Sequence, residues 1–316
     1  VVIEMSPQKI GFLFPGQGAQ SVGMGREWAE TFEKARRVYE EADRILGTSI
    51  SKICFEGPEE TLTRTLYAQP AIFVTSLALL SVLEEKVPEL KPSFVAGLSL
   101  GEFTALVAVG SISFEEGLKL VQTRAELMEK AASRNPGTMI SILGLDQAQC
   151  NLVAAGSGAT LANLNAPDQF VLSGTAGAVE KAQKLAEERG AKRAIPLKVG
   201  GAFHSPLMGE AREGLREALA KVTIRPPQAV FVPNASAKGE SNPEKIRQLL
   251  GDQVTSPVRW IETVQYGKGA GISRFIEIGP GRVLKGLVRK IDSSLEVLSF
   301  EKVADLEALE AALQKV

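Results

Sequence analysis

Apolar residues run almost unbroken through Lys9–Phe14 and stop at Pro15-Gly16-Gln17-Gly18, which predicts a short buried strand closed by turn residues. Helical spacing follows from about Glu27 to Leu46. A second helix is expected to continue to about Glu85 with Pro70 in its first turn, where the N–H that proline lacks has no partner in any residue. After Pro92 the run Ser93–Leu98 reads as another buried strand and leads directly into Ser99. Leu100–Val109 is apolar with small residues at helical spacing, and a longer helix is predicted over about Phe114–Ala132. Ser99 therefore falls between a strand and a helix.

The middle of the chain has a different rhythm. Short strands are predicted at Thr138–Leu143, Thr160–Asn163, Phe170–Ser173 and Arg193–Val199, with helices near Asp146–Ala155 and Ala178–Arg189, the latter stopped by Gly190. The order β-α-β-β-α-β is the ferredoxin-like pattern. It divides the chain into a large α/β unit, residues 1–132 and 199–316, that carries Ser99, and a small inserted unit, residues 133–198. A hinge between two such units is a natural place for a pocket. Beyond it strand and helix alternate through Ala229–Pro233, a helix near Pro243–Leu250, Trp260–Lys268, Phe275–Ile278 and Arg282–Ile291, and Lys302–Val316 reads as an amphipathic terminal helix. There is no tandem repeat or low-complexity segment.

Composition narrows the classes. With 316 residues, 44% of them hydrophobic, the chain can bury a substantial core. Thirty-six basic residues against 37 acidic ones give a net charge of -1, so nothing in the charge balance argues for nucleic acid as the main ligand. Cys54 and Cys150 stand far apart and outside any C-x-x-C pattern, which indicates neither a disulfide framework nor a zinc site and favours a reducing compartment. The longest apolar stretch, about Ala71–Leu83, is too short to span a bilayer, so a soluble protein is expected. A chain that opens on Val1 rather than methionine is consistent with removal of a leader.

Gly97-Leu98-Ser99-Leu100-Gly101 is a G-x-S-x-G run. Its glycines permit a tight strand-to-helix turn that presents the serine hydroxyl at a helix N-terminus, where the dipole favours negative charge. The bland alternative is a serine that merely caps a helix; the buried strand before it and the helix after it make Ser99 the candidate nucleophile. His204, the only histidine, is the candidate base, because imidazole titrates near neutral pH. A lone histidine is more often a satisfied polar residue, yet this one sits in Gly200-Gly201-Ala202-Phe203-His204-Ser205-Pro206, where the chain leaves the small unit. Serine before histidine is also the order in α/β-hydrolases. No acidic third member stands out, so another group, a main-chain carbonyl being one candidate, has to orient the ring. Pro15-Gly16-Gln17-Gly18-Ala19-Gln20 is not a dinucleotide loop, since Ser21 occupies the place of the third glycine. It is either an ordinary turn or a loop that aims backbone N–H groups at an oxyanion. Arg124, beside a buried stripe on its helix, either lays its stem over the surface or reaches into the pocket for a carboxylate.

With these pieces placed, the sequence closely resembles the malonyl-CoA:acyl carrier protein transacylases of type II fatty acid synthesis over nearly its whole length. The resemblance rests on Phe14-Pro15-Gly16-Gln17-Gly18, Gln69-Pro70-Ala71, Gly97-Leu98-Ser99-Leu100-Gly101-Glu102, Arg124, Asn163 to Asn165, Ala202-Phe203-His204-Ser205, Gln253 and Glu277-Ile278-Gly279-Pro280-Gly281. It implies an α/β fold: a hydrolase-like core with a parallel sheet plus an inserted ferredoxin-like subdomain. By similarity Ser99 attacks the malonyl thioester, His204 takes its proton, and the backbone N–H groups of Gln17 and Leu100 hold the oxyanion. Arg124 pairs with the free malonyl carboxylate, and the main-chain carbonyl of Gln253 orients the histidine. Gln69 and Asn163 match pocket-lining positions, and Phe203 matches the Ala-Phe-His signature of malonyl-selective members. Many members carry histidine where this chain has Leu98, so no role of that histidine is carried over.

The activity implied is ping-pong transfer: malonyl-CoA acylates Ser99, CoA leaves, and the phosphopantetheine thiol of acyl carrier protein takes the malonyl group. No metal and no bound cofactor are expected. The expected partners are malonyl-CoA and acyl carrier protein, with no nucleic acid and no membrane, for a monomer in bacterial cytoplasm or, in a plant or alga, the plastid stroma. A thioesterase-like hydrolase and a non-catalytic carrier-binding module are the rival readings, marked by free malonate and by the absence of an acyl-serine respectively. Arg282, Lys285 and Arg289 on one helix face, with Lys192 and Arg193, are candidate contacts for an acidic carrier; a solvated charged face is the simpler reading.

Overall fold

Every residue of the first two strands is buried, as the unbroken apolar runs require of strands covered on both faces. The computed structural model describes residues 9–313 and contains β1 (Ile10–Phe14), β2 (Phe94–Gly97), β3 (Thr138–Leu143), β4 (Thr160–Ala166), β5 (Gln169–Gly174), β6 (Arg193–Pro196), β7 (Val230–Phe231), β8 (Arg274–Ile278) and β9 (Glu296–Phe300). The readings on Val1 and on the last three residues of the terminal helix lie outside the described residues.

β1 and β2 belong to a five-stranded sheet of order β7-β2-β1-β8-β9, parallel at every pairing. Phe14 is in register with Gly97. Both strands thus end at one edge, and the segments that follow them leave the sheet side by side, the usual place for a ligand site in a parallel α/β sheet. The second sheet, β4-β5-β3-β6, is antiparallel throughout. With helices Gln147–Ser157 and Ala176–Glu188 between its strands, it has the ferredoxin-like order. Asp146 starts the first of these helices with a reciprocal capping box to Gln149. The small sheet is tied to the segment that precedes the helix Trp260–Gly269: Val258 forms a parallel bridge with Asn163 of β4, its N–H donating to Ala162 O at 2.8 Å while Leu164 N–H donates to Val258 O at 2.9 Å.

Several expectations need correction. The helix over Glu27–Leu46 is two, Arg26–Thr31 and Glu33–Leu46, separated by Phe32 in an extended conformation. Phe32 still packs on Trp28, with ring centroids 5.5 Å apart, so the apolar period carries through the break. Pro70 is interior to a helix that starts at Thr65, not in its first turn. The missing N–H and ring crowding that proline brings are outweighed because every residue from Ala68 to Leu80 is buried. By length and composition Thr65–Lys86 is long and apolar enough to cross a membrane, contrary to the shorter stretch read from sequence; it is packed within the protein, with 83% of its most apolar window buried. Helices Ile50–Glu56, Glu59–Thr63 and Gly209–Leu219 and strand β9 were not expected, and β6 stops at Pro196. Arg282 is the residue that begins the helix Val283–Ile291 and pairs with Glu301 (3.0 Å) and Asp305 (3.5 Å). Cys54 and Cys150 are buried free thiols, each pushed up to about 12, chiefly by burial.

Candidate active site

Between the end of β2 and the helix Gly101–Ala108, Ser99 has φ 53°. This left-handed conformation costs a residue with a Cβ about 1–2 kcal/mol. The flanking glycines make room for it. A Cβ on Gly97 would lie 1.9 Å from Gly101 C, and one on Gly101 would lie 2.2 Å from Phe14 O. Gly16, after β1, comes equally close, its Cβ position being 2.3 Å from Leu98 O. The G-x-S-x-G run and the Pro-Gly-Gln-Gly loop are therefore pressed together at the end of the sheet. Among the described residues, neither the Gln17 nor the Leu100 backbone N–H donates to a protein acceptor.

Ser99 Oγ lies 2.9 Å from His204 Nε2. His204 Nδ1 lies 2.9 Å from Gln253 O and 3.1 Å from Ser256 O. Carbonyls only accept, so Nδ1 carries the hydrogen and Nε2 presents its lone pair to the serine hydroxyl. His204 has φ 55° and is almost fully buried. Burial first, then the Arg124 charge, lower its imidazole to about 4 against the two carbonyls that favour the cation; it is neutral at physiological pH, with the Nε2 lone pair free of a proton.

Arg124 projects from the helix Phe114–Arg134 with only 1% of its surface exposed. Its Nη2 is 3.0 Å from Ser99 Oγ and donates to Gln253 Oε1 at 2.7 Å, while Nη1 donates to Gln69 Oε1 at 2.6 Å. The guanidinium carbon stands 5.4 Å from the centre of the Phe103 ring. Burial lowers this guanidinium to about 10, with Glu102 opposing the shift, so it is charged at neutral pH. Gln253 does more than the resemblance implies: besides its carbonyl on His204, its Nε2 donates to Ser99 O at 2.8 Å. One glutamine thus touches the serine, the histidine and the arginine.

These groups open into a cavity of about 330 Å³. Ser99, His204, Arg124 and Gln17 line it from the parallel unit, together with Leu98 and Phe203; Asn163 lines it from β4. Gln69 is a correction. It is fully buried behind Arg124, which it holds, and is not on the cavity wall. Leu98, in the place of the histidine common in the family, adds apolar surface and packs against the apolar cluster that includes Phe94 and Trp260.

Sequence reasoning assigned no role to Ser256, whose carbonyl faces His204 Nδ1 beside that of Gln253, nor to Asn234 and Glu102. Asn234, three residues past β7, is fully buried; its Oδ1 accepts Ser99 N–H at 2.7 Å and its Nδ2 donates to Gly97 O at 2.8 Å. Glu102, also fully buried, accepts Asn234 N–H. Burial pushes the Glu102 carboxyl up to about 8, against Asn234 N–H, the Gln253 side chain and Arg124. A carboxylate inside the otherwise apolar run Gly101–Ala108 was a readable signal for Glu102. No local pattern marks Asn234.

Comparison with known proteins gives the family of the chain. Residues 11–307 match the acyl transferase domain family. The malonyl CoA-acyl carrier protein transacylase of Bacillus subtilis strain 168 is 44% identical over 311 residues, covering 97% of this chain and 96% of that protein. The acyl-carrier-protein-S-malonyltransferase of Bartonella henselae superposes with a TM-score of 0.93 at 39% identity, covering 97% of this chain and 100% of that one. A malonyl-transacylase solved in complex with its type II PKS acyl-carrier protein gives a TM-score of 0.92 at 37% identity over 98% of this chain and 100% of that one. A strand-to-helix serine paired with a buried histidine, on a fold shared almost end to end, places this chain in the acyl transferase domain family, as an acyltransferase of the malonyl-CoA:acyl carrier protein transacylase type.

Proposed function

We propose that the protein transfers a malonyl group from malonyl-CoA to the phosphopantetheine thiol of acyl carrier protein through a malonyl ester on Ser99. The observation that carries this reading is the contact of Arg124 Nη2 with Ser99 Oγ at 3.0 Å, next to the 2.9 Å contact of the same oxygen with His204 Nε2. A buried cation touching the nucleophile favours an acyl group that brings its own carboxylate, because leaving the guanidinium uncompensated in a dry cavity is costly. The match to a transacylase solved with its carrier protein supports the choice of acceptor.

In the first half, Ser99 Oγ bonds to the thioester carbon as His204 Nε2 takes the hydroxyl proton, and the carbonyl electrons move onto oxygen. The Gln17 and Leu100 amides receive that oxyanion, and the carbonyls of Gln253 and Ser256 stabilise the imidazolium through Nδ1–H. When the carbonyl re-forms, the C–S bond breaks and the CoA sulfur takes the proton from Nε2. The carrier thiol then runs the same steps in reverse order. Arg124 holds the malonyl carboxylate through a fork already oriented by Gln69 and Gln253.

Intact-mass measurement after mixing with malonyl-CoA tests this directly. A malonyl adduct is expected on wild-type protein, confined to the peptide containing Ser99, and is discharged by carrier protein with little free malonate. An undiminished adduct in Ser99→Ala, or discharge mainly to malonate, overturns the proposal.

A further inference from the structure

Among the described residues, three other than glycine hold a positive φ: Ser99, His204 and Ala237. The first two are the proposed nucleophile and base. The third is buried and closes a turn in which its N–H donates to Pro233 O at 2.8 Å. A left-handed alanine costs about 1–2 kcal/mol, so the surrounding structure holds this turn against its own preference. What the strain secures is Asn234, which lies within the turn.

Asn234 is gripped at both ends of its backbone: its N–H donates to Glu102 Oε1, and its carbonyl accepts Arg259 N–H at 3.2 Å. Its side chain then spans the nucleophile turn, accepting from Ser99 N–H at 2.7 Å and donating to Gly97 O at 2.8 Å. It is not on the cavity wall, so any effect on the reaction passes through Ser99. On the reading of Ser99 as the acylated residue, we propose that Asn234 is a positioning residue: it locks the Ser99 turn in its left-handed form. The lock fixes the hydroxyl against His204 and the direction of the following Leu100 amide.

A carboxamide and a protonated carboxyl group have the same shape and the same donor–acceptor pair, whereas a carboxylate has no donor. Asn234→Asp should therefore keep the lock when protonated and lose it when ionised, facing Gly97 O with a second acceptor. The titratable and charged groups around the turn are Glu102 on the Asn234 N–H, Arg124 and His204 on Ser99, and Arg259, whose guanidinium pairs with Glu262. Wild type carries all of these, so the ratio of variant to wild type isolates the new carboxyl.

The test is the single-turnover rate of Ser99 acylation by malonyl-CoA, read by intact mass for wild type, Asn234→Ala and Asn234→Asp. Asn234→Ala is expected to slow acylation about 100-fold, the scale of a small misplacement of reacting groups, with the half-saturating malonyl-CoA concentration within about twofold. Asn234→Asp is expected to match it near pH 8 and to recover at least about tenfold relative to wild type near pH 5.5. Absence of the adduct in wild type overturns the reading of Ser99. A wild-type adduct overturns only the role of Asn234 if Asn234→Ala acylates at full rate, if its loss lies in the half-saturating concentration, or if the Asn234→Asp defect does not change with pH. Should Asn234→Ala fail to fold, the Asn234→Asp profile decides.

Discussion

Arg124 enters the site with its fork already engaged, one amino group on Gln69 and the other on Gln253 and Ser99. Removing it should lower kcat/KM for malonyl-CoA about 10- to 100-fold, the scale of one hydrogen-bonded charge, and should not lower kcat/KM for acetyl-CoA. Arg124→Lys should not restore malonyl transfer, because a compact ammonium lacks the planar fork whose separate nitrogens reach the two glutamines and can hold a carboxylate through parallel hydrogen bonds. Steady-state kinetics with the two thioesters check both outcomes, and equal losses on both would remove Arg124 from specificity. Residues of this kind were legible in the sequence to the extent that local pattern carries them. Ser99 stood in a run whose turn is dictated by its neighbours, and His204 was unique. Gln69 was misplaced because a sequence does not say whether a buried amide faces a cavity or the residue that lines it. Asn234 was illegible because its partners are 135 and 137 residues away.

At the level of elements, the nucleophile turn exists because strand and helix approach to within a glycine of each other. Gly101→Ala would force its methyl onto Phe14 O, which has no flexible end to yield. A loss of about 1–3 kcal/mol of stability is expected, as for other overpacked sites, together with slower acylation because the displaced element carries Ser99. Thermal unfolding and adduct formation on the same sample check this; a variant with wild-type stability would show that the close approach is not rigid. The Glu277-Ile278-Gly279-Pro280-Gly281 run has a comparable structural use. Glu277 accepts from Leu284 N–H at 2.9 Å and Lys285 N–H at 2.8 Å, capping the helix Val283–Ile291. Gly279, at φ 139°, leaves room for Pro15, whose Cγ would lie 2.7 Å from a Cβ there. Strands β1 and β2 were readable because their unbroken apolar runs are buried at every residue, whereas β4, read only to Asn163, runs on to Ala166 with Asn163 buried and Leu161 half-buried. The break at Phe32 and the interior Pro70 were not readable, since packing overrides local propensity at both.

For the whole molecule, the buried ionisable groups set how stability varies with pH. Glu102 and Glu277 are raised from 4.5 to about 8 and about 7, mainly by burial. The folded state keeps their protons longer, so their contribution is full below about pH 4.5 and is lost as pH rises through 7 to 8. His204 runs the other way: its imidazole, lowered from 6.5 to about 4, contributes above about pH 6.5 and loses that contribution as pH falls towards 4. Two carboxyls oppose one imidazole, so Tm should fall between about pH 5.5 and about pH 8, and Glu102→Gln, which keeps an acceptor for Asn234 N–H, should flatten part of that fall. Calorimetry at both pH values checks this, and an unchanged slope in Glu102→Gln would rule out its titration as a cause. Val258, bridged to β4, also sits close in sequence to the acceptors of His204. The stretch that carries the Gln253 and Ser256 carbonyls runs on, within two residues, to the Val258 pairing with β4. A swing of the small sheet would therefore tug on the acceptors that keep the imidazole in its tautomer. The small sheet is thus no free door over the cavity but is anchored to the same segment that holds the His204 ring.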